Sequence, residues 1–330
     1  MRGAGILEYG GAIQLLDLPD PEVSEPQQLL IQVQAAGVGN WDDVVRAGNW
    51  DVGSNPPMAL GVEGAGTVLA IGPGVARFRV GDEVLTHPLP LPQQGTWAEV
   101  LAAREVQVAL KPSGMSVAVA GLFPVPALTA SQVLSDAVGL SLSPGETIIV
   151  QGAGGITGGM IVALAAGMGG RVIAIAGAGS AERLRAYGAS AVLDYHQPDW
   201  QLQARELVPG GATVAVNAVP GAAARLIPLV ADGGRLATIT GDPPTQQRGI
   251  RVSNCYVRPD GPALERLAAN FAVRGLALPV VCVRPLVEAA SALSEVTSGQ
   301  AGGGVLIDPR RSLKLSPASD RRQTRGERFT

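Results

Sequence analysis

The chain has 330 residues, 46% of them hydrophobic, and a formal net charge of -3 at neutral pH. This size supports a buried core and predicts two domains rather than one. A nucleic-acid partner would require a basic patch, which this charge balance does not favour, so we expect no such partner.

Cysteine content and hydropathy bear on the compartment. The two cysteines, Cys255 and Cys282, are too few for a disulfide framework and favour a reducing cytoplasm. The first residues lack the apolar core of a signal peptide, and no run of about 20 apolar residues occurs. We therefore expect a cytoplasmic protein that does not bind a membrane.

The first part of the chain, to about residue 120, has the pattern of short strands and tight turns. Strands are predicted over 29–35, 61–70 and 80–85. The second of these is rich in glycine, which is typical of a place where two backbones pass closely. This part is therefore predicted to be a compact, mostly β domain.

After Pro124 and Pro126 the pattern changes, and apolar strands alternate with helical segments. Helices are predicted over 127–138, 159–168, 181–187 and 222–230, and strands over 146–150, 171–176, 191–194, 212–216 and 234–239. Alternation of this kind is typical of a parallel, doubly wound sheet.

From about residue 270 the alternation fades. We predict a strand over 279–283, a helix over 285–298 and a last strand over 304–307, which return to the first domain. The predicted domains are residues 1–122 with 270–308, and residues 123–269 inserted between them. Residues 309–330 are rich in arginine and poor in apolar residues, so we expect a disordered tail.

The strongest functional signal is a glycine-rich loop over 150–159, between a buried strand and an apolar helix. Gly152, Gly154 and Gly155 allow a sharp turn, and the amides that follow, to Ile156 and Thr157, can bind a pyrophosphate at the helix N-terminus. Thr157 stands at the sixth position of the G-x-G-x-x-G motif, so the loop is a variant. We predict a dinucleotide site; the alternative is a tight turn that binds no ligand.

The end of the strand over 171–176 indicates which dinucleotide binds. An acidic residue there would hold the ribose 2′-hydroxyl of NAD and repel a 2′-phosphate. Here no carboxylate occurs before Glu182, whereas Ser180 and Arg183 offer donors to a phosphate. NADPH is therefore the predicted cofactor, although Arg183 also fits an exposed helix arginine with no ligand.

Five segments together resemble the medium-chain dehydrogenase/reductase superfamily, and most of all its zinc-independent quinone oxidoreductase and zeta-crystallin branch. They lie at 35–42, 61–68, 80–84, 126–130 and in the glycine loop, and the resemblance extends over residues 1–308. It implies an α/β fold in which a Rossmann doubly wound parallel sheet domain is inserted into a mostly β, GroES-like catalytic domain. NADPH would lie along the Rossmann side of the cleft between them.

The resemblance also implies positions for individual residues. Asn217 and Val219, with Thr240 and Gly241, would border the nicotinamide half of the cofactor, and Tyr195 would lie beside the adenosine phosphate. A homodimer would form through the edge strand near residues 251–257.

The chain departs from that branch at three positions. Gly39 stands where related reductases usually carry an asparagine, with Asn40 following it. Gly303 and Gly304 replace a common Gly-Lys pair, and Val44 replaces a tyrosine. These departures weaken the case for Asn40 as a catalytic residue and remove a possible cofactor contact.

A catalytic zinc ion is not expected. Zinc-dependent relatives need a cysteine, a histidine and an acidic or cysteine ligand that converge on one metal. Their Gly-His-Glu segment corresponds to residues 61–63 here, where Val62 replaces the histidine and leaves only Glu63. The two histidines of the chain are His87, expected in a loop as a structural or pocket-lining residue, and His196, expected at the surface.

Without a metal, hydride addition to a conjugated acceptor is easier than oxidation of a simple alcohol, because a quinone or an α,β-unsaturated carbonyl spreads the incoming charge onto its own oxygen. We therefore predict an NADPH-dependent reductase of such apolar acceptors. The candidate catalytic residues are Asn40, Trp41, Asp43 and His87, with Trp50 and Phe123 as further cleft candidates. Asp42 fits an anchor for its own turn.

Two alternatives stay open from the sequence. Each cleft candidate also fits plain packing. Because no residue stands out as a general acid, the chain also fits a non-redox member of the fold, which binds a ligand or catalyses a cyclisation or isomerisation in the same cleft.

Overall fold

The computed structural model describes residues 1–139 and 146–311. Its strands are β1 (Arg2–Ile6), β2 (Gln14–Asp17), β3 (Gln28–Val38), β4 (Met58–Ala59), β5 (Gly64–Ile71), β6 (Glu83–Thr86), β7 (Val100–Arg104), β8 (Val108–Leu110), β9 (Thr147–Gln151), β10 (Arg171–Ala176), β11 (Ala191–Asp194), β12 (Ala212–Asn217), β13 (Val230–Thr238), β14 (Arg251–Asn254), β15 (Val280–Pro285) and β16 (Gly304–Asp308). Its α-helices are α1 (Asn40–Arg46), α2 (Val117–Gly121), α3 (Pro124–Gln132), α4 (Ile156–Gly167), α5 (Ala181–Ala186), α6 (Trp200–Leu207), α7 (Gly261–Val273) and α8 (Ala289–Thr297).

Strands β9 to β14 form a six-stranded parallel sheet in the order β11-β10-β9-β12-β13-β14. The chain starts at the centre, winds to one edge and then crosses to the other, which is the doubly wound arrangement of a Rossmann fold. In β9, Ile148 and Val150 pack with the apolar side chains of α3, α4 and α7, while Ile149 packs on the opposite face. Both faces are therefore covered, as expected for a parallel sheet.

The other strands form two further sheets, and both ends of the chain contribute to them. The first sheet has the order β2-β1-β4, and the second has the order β15-β16-β3-β5-β6-β8, with β7 paired to β3. Strand β16 pairs antiparallel with β3, so that Val305 faces Val38 and Leu306 faces Gly37. The predicted fold class, a parallel sheet combined with a mostly β part, is confirmed.

Several elements differ from the sequence expectations. Residues 61–63 precede β5 instead of belonging to it, because Gly61 has a φ of 93° and turns the chain. The helix expected over 222–230 is a 3-10 helix, Ala223–Leu229, which contains Pro228. The helix expected over 285–298 begins as a 3-10 turn, Leu286–Glu288, and continues as α8.

Four α-helices were not predicted: α1, α2, α6 and α7. Helix α1 follows β3 directly, and α7 begins after Asp260, whose side chain accepts a hydrogen bond from the amide of Ala263. The predicted domain boundary after residue 269 falls inside α7, which ends at Val273. The predicted tail lies outside the described residues from position 312 onward. Among the described residues, no helix is both long and apolar enough to cross a membrane.

Candidate functional site

The glycine loop connects β9 to α4 at the carboxyl edge of the parallel sheet. Gly152 has a φ of 78°, and the loop is tied to the neighbouring strand because the amide of Ala153 donates to the carbonyl of Ile175 at 3.1 Å. Gly155 is the N-cap of α4, and no side chain of the described residues caps that helix end. The first amides of α4 are therefore free to bind an anion, and the helix dipole favours a negative charge there.

The displaced glycine of the motif has a packing role. A Cβ added to Gly158 would lie 2.1 Å from the carbonyl oxygen of Gly152, so the helix can pass the turn only because residue 158 has no side chain. A Cβ on Gly155 would meet only that same oxygen, at 3.6 Å. The helix end is thus closely packed on one side and open on the other, and it fits a dinucleotide pyrophosphate.

Ser180 and Arg183 both lie against the glycine loop. A Cβ on Gly154 would come within 3.1 Å of the Ser180 hydroxyl oxygen. Arg183 Nη2 donates to the Gly154 carbonyl at 2.6 Å, and its Nη1 is buried without a hydrogen-bond partner among the described residues. Arg183 is therefore not an exposed helix arginine, because its guanidinium group binds the backbone of the glycine loop at Gly154.

Tyr195 lies at the edge of the same region. Its side chain is 54% exposed, and its ring packs on the ring of His196 at a centroid distance of 4.0 Å. Both rings approach Gly177, the residue that follows β10. The structure thus brings Tyr195 to the strand end at which Ser180 also lies.

A carboxylate that the sequence analysis missed lies beside these residues. Asp194 pairs with Ala176 across the two strand ends. Its Oδ1 accepts hydrogen bonds from the backbone amide of His196 at 3.0 Å and from the His196 ring at 2.7 Å. The hydrogen bond from the His196 amide is the main cause that lowers the pKa of Asp194. This carboxylate is committed to its own turn.

Asn217 links the ends of β12 and β13. Its side chain is fully buried, and its Nδ2 donates to the carbonyl of Val219 at 2.9 Å and to the Thr240 hydroxyl at 3.1 Å. Val219 in turn lies against Gly152, where an added Cβ would come within 2.8 Å of its Cγ2 atom. Gly241 follows with a φ of 77°. The structure brings Asn217, Val219 and Thr240 together next to the glycine loop through the Asn217 side chain, and Gly241 follows Thr240 in the chain.

The end of β3 lies next to the first residue of α4. Val38 pairs with Val305, and a Cβ on the preceding residue, Gly304, would lie 2.9 Å from the Cδ1 atom of Ile156. The chain that leaves β3 toward Trp41 therefore borders the proposed cofactor loop. The two halves of the candidate site meet at this point.

Comparisons with known proteins agree with this geometry. Residues 25–126 match the family described as the alcohol dehydrogenase GroES-like domain, and residues 187–307 match the family described as zinc-binding dehydrogenase. The chain is 31% identical over 320 residues to the NADPH-dependent alkenal/one oxidoreductase, chloroplastic, of Arabidopsis thaliana, which covers 92% of this chain and 78% of that protein.

The chain is a medium-chain dehydrogenase/reductase of the zinc-independent quinone oxidoreductase branch.

Two solved structures share the whole fold of this dehydrogenase/reductase. An NAD-dependent alcohol dehydrogenase superimposes with a TM-score of 0.81 at 27% identity, over 93% of this chain and 99% of that one. A mycobacterial protein complexed with NADPH superimposes with a TM-score of 0.81 at 26% identity, over 94% of this chain and 100% of that one. The predicted family is thereby confirmed.

The residues at the position of a catalytic zinc ion do not fit that metal. Glu63 is buried, and its Oε2 accepts a hydrogen bond from the Val125 amide at 2.8 Å. Gly39 and Val62 offer no ligand atoms on their side chains. Within residues 1–139 and 146–311, no three His, Cys, Asp or Glu side chains are grouped so that they could hold a metal ion.

His87 lies in the interior of the β part. It is fully buried, its Nδ1 lies 2.6 Å from the carbonyl oxygen of Val62, and its Nε2 has no partner among the described residues. Burial lowers the pKa of His87 to about 4, so the ring is neutral at physiological pH. A neutral ring held in this way supports the structural role for His87 over a proton donor.

Asp42 and Asp43 differ in burial. Asp42 is fully buried, and its Oδ2 accepts a hydrogen bond from the amide of Gly39 at 2.8 Å. Burial raises the pKa of Asp42 to about 8, and Oδ1 has no hydrogen-bond partner among the described residues. Asp43 instead forms a partly exposed ion pair with Arg46 at 2.7 Å. An exposed ion pair of this kind does not favour a catalytic role for Asp43, and the hydrogen bond from Gly39 agrees with the expectation that Asp42 anchors its own turn.

The remaining cleft candidates separate into three environments. Asn40 is exposed and Trp50 is half-buried, with its ring 6.4 Å from that of His87. Phe123 is fully buried against the edge of the Phe271 ring at 5.2 Å, which is core packing.

Trp41 packs directly on Gly39. A Cβ added to Gly39 would lie 2.1 Å from Cε2 of the indole, although the backbone there is extended and accepts any residue. Trp41 Nε1 is buried and has no hydrogen-bond partner among the described residues. The indole therefore occupies the space into which a side chain at position 39 would project.

This contact predicts an energetic coupling between the two positions. We expect Gly39→Ala to lower the free energy of unfolding by about 1–3 kcal/mol, because the new methyl group must displace the indole. In a Trp41→Ala background the same substitution has room, and its cost should approach zero. Urea unfolding of the four proteins of this double-mutant cycle measures the coupling. An equal cost of Gly39→Ala in both backgrounds would contradict it.

Burial of Asp42 predicts a pH-dependent stability. Its pKa is about 8 in the folded chain and near the ordinary value of 3.8 when unfolded. Between these values only the folded state binds the proton, so this group's contribution is present below pH 4 and is lost as the pH rises to 8, by about 1.4 kcal/mol per pH unit.

Asp42→Asn should remove that loss, so its stability relative to the original chain should increase from pH 4 to pH 8. Urea unfolding at each pH measures the difference. Asp43→Asn, which removes a carboxylate from an exposed ion pair, is the control and should leave the slope unchanged. Parallel curves for the original chain and Asp42→Asn would refute the assignment of a proton to Asp42.

Proposed function

We propose that this protein is an NADPH-dependent, zinc-independent reductase that transfers a hydride to a quinone or to an α,β-unsaturated carbonyl compound. The observation that carries the proposal is the uncapped N-terminus of α4 behind the glycine loop. The relationship to an NADPH-dependent alkenal/one oxidoreductase supports both the cofactor and the class of acceptor.

Two parts of the parallel-sheet half would hold the cofactor: the start of α4 and the ends of β10 and β11. The amides of Ile156 and Thr157, the first residues of α4, would bind the pyrophosphate, since the Gly155 amide already donates to the Gly152 carbonyl at 3.2 Å. Ser180 follows β10 and Tyr195 follows β11, and an adenosine 2′-phosphate would need hydrogen-bond donors there. When bound, NADPH supplies the hydride.

Asp194 is a carboxylate at that edge of the sheet, and a free carboxylate would favour the ribose hydroxyl of NAD. Its Oδ1 accepts two hydrogen bonds from His196, which lower its pKa and favour the ionised form. The choice of NADPH therefore rests on the donors near the end of β10 and on the relationship to an NADPH-dependent oxidoreductase.

The other half of the site suits a conjugated acceptor. Gly39, Val62 and the buried Glu63 provide no Lewis acid, so the acceptor must carry the negative charge on its own oxygen. Asp42 holds a proton at neutral pH one residue from Trp41. It replaces Asp43 as the candidate proton source.

The direct test is turnover. The protein is mixed with NADPH, or separately with NADH, and with a panel that contains duroquinone, cyclohex-2-enone and simple ketones, while the absorbance of the reduced nicotinamide is followed. We expect oxidation of NADPH with the quinone or the enone, and little with the simple ketones. Binding of NADPH without any oxidation would favour the non-redox alternative, and a preference for NADH would overturn the cofactor assignment.

A substitution in the loop tests the cofactor site itself. Gly155→Ala should fold normally, since its Cβ meets only one atom, at 3.6 Å. The methyl group stands beside the free amides of α4, so we expect the Kd for NADPH to rise roughly tenfold, or about 1.4 kcal/mol. Titration of nicotinamide fluorescence measures this Kd.

Gly210→Ala is the matched control for that substitution. Its Cβ meets nothing within 4 Å, and it precedes β12 at the opposite edge of the sheet. It should leave the Kd unchanged. An unchanged Kd in Gly155→Ala as well would refute the loop as the pyrophosphate site.

We also propose that two copies associate through β14 and that the dimer acts in the cytoplasm. In the part of the chain that the structure describes, β14 is the last strand of the parallel sheet and pairs only with β13. Tyr256, just beyond it, is 75% exposed. We expect light scattering to give twice the chain mass of 33.6 kDa. A mass of one chain at micromolar concentration would refute the dimer.

A further inference from the structure

We propose that Trp41 Nε1 donates a hydrogen bond to the carbonyl or quinone oxygen of the acceptor, and that glycine is required at position 39 so that the indole can lie there. This inference rests on the proposed function, because it assigns a catalytic residue to that reaction. Three observations carry it: the packing of the indole, the state of its N–H group and its place beside the cofactor loop.

The packing shows why residue 39 is a glycine. Its φ of -134° and ψ of 165° are those of an ordinary extended residue, so the backbone does not require glycine. The requirement comes from the indole of Trp41, whose Cε2, Cζ2 and Cδ2 atoms all lie within 2.6 Å of the place where a Cβ would be. The ring has replaced the side chain of residue 39 in this part of the site.

The N–H group of that ring is buried and makes no hydrogen bond to the described residues. A buried indole N–H usually has a hydrogen-bond partner, and leaving it without one costs about 1–3 kcal/mol. Trp97, in the same sheet region, follows this rule, since its Nε1 donates to the carbonyl of Gly37 at 3.0 Å. Trp41 Nε1 has no such partner among the described residues. An unpaired buried donor of this kind is explained if it acts on a ligand.

The position of Trp41 favours the acceptor as that ligand. Val38 pairs with Val305, and the neighbouring Gly304 abuts Ile156 at the start of α4. Trp41 follows Val38 by three residues, in the first turn of α1, and its side chain packs with the apolar cluster of the mostly β part. Helix α1 therefore begins near the point at which the mostly β part contacts α4.

The chemistry needs a donor at this place. When a hydride adds to the β-carbon of an enone, the new C–H bond forms, the C=C electron pair moves toward the carbonyl, and the oxygen becomes negative. A proton then completes the product, with Asp42 as its candidate source, and NADPH has become NADP⁺. The N–H of Trp41 releases no proton in this reaction. It stabilises the charge on the oxygen, which is larger in the transition state than in the bound substrate.

The activity test compares Trp41→Phe, which keeps a ring on Gly39 but removes the N–H, with Trp200→Phe. Trp200 is buried beneath the parallel sheet, away from Gly39, and serves as the control. With NADPH and cyclohex-2-enone, we expect kcat/KM to fall by about 10- to 100-fold in Trp41→Phe, toward the effect of losing one oxyanion donor. The kcat/KM of Trp200→Phe should stay within about twofold of that of the original chain, since this substitution changes packing in a different apolar cluster and removes no contact to the transition state.

A second readout does not depend on turnover. The four tryptophans of the chain give four indole N–H signals in a ¹⁵N-labelled protein, and the signal of Trp41 is identified by its loss in Trp41→Phe. With NADP⁺ present, which has no hydride to give, added cyclohex-2-enone should shift the proton of that signal downfield while the Trp200 signal stays in place.

The outcomes separate this inference from the proposed function. If the original chain reduces the enone and Trp41→Phe does so equally fast, or if the Trp41 signal stays in place while the enone inhibits duroquinone reduction, only the role of Trp41 is refuted. If the original chain reduces no acceptor in the panel, the proposed function is refuted and the role of Trp41 with it.

Discussion

The cofactor half of the molecule depends on one close contact between two backbones. The carbonyl of Gly152 lies where a side chain of residue 158 would project. Because residue 158 is a glycine, α4 can pack against the turn that follows β9. Arg183 holds the next part of the loop by the carbonyl of Gly154. These two contacts aim the free amides of α4 at the carboxyl edge of the sheet, and the anion site follows from them without any charged side chain. Ser180 and Val219 then pack on the same glycines, so both ends of a dinucleotide site are positioned by the loop.

The acceptor half is built from polar groups that burial keeps uncharged. Burial raises the pKa of Asp42 and of Glu63 and lowers that of His87, and the nearby Asp42 carboxyl group further raises the pKa of Glu63. A metal ion would reverse this, because its positive charge favours ionised carboxylates. A reaction in this half must therefore place its charge on the substrate, which restricts it to acceptors that can delocalise that charge.

Local patterns in the sequence predict the parallel sheet well and the details of the site poorly. Several strands of that sheet are short apolar runs with clear ends, and the strands over 171–176 and 191–194 are found at their predicted bounds. Helix α7 has a clear start signal in Asp260 and the proline that follows Gly261, yet it was missed because the alternation of elements had already weakened there. The approach of Asp194 to the end of β10 depends on strand pairing, which no local pattern contains. The choice between Asp42 and Asp43 as the candidate proton source likewise depends on burial. The two residues are adjacent and chemically identical, so the sequence cannot distinguish them.

The departures from related quinone reductases have a common physical cause. Gly39 stands where those proteins usually carry asparagine, and Gly304 stands in place of a common lysine. At Gly39 the space is filled by the indole of Trp41, and at Gly304 it is filled by Leu122 and Ile156, whose side-chain carbons lie 2.2 and 2.9 Å from the place of a Cβ. In both cases a hydrophobic side chain from a neighbouring element has taken the volume of a polar one. Neither polar group can return without displacing that side chain, so both positions are more apolar here than in those relatives. Apolar surroundings of this kind are consistent with the proposed acceptor, which would be recognised by its hydrophobic surface and by one hydrogen bond to its oxygen.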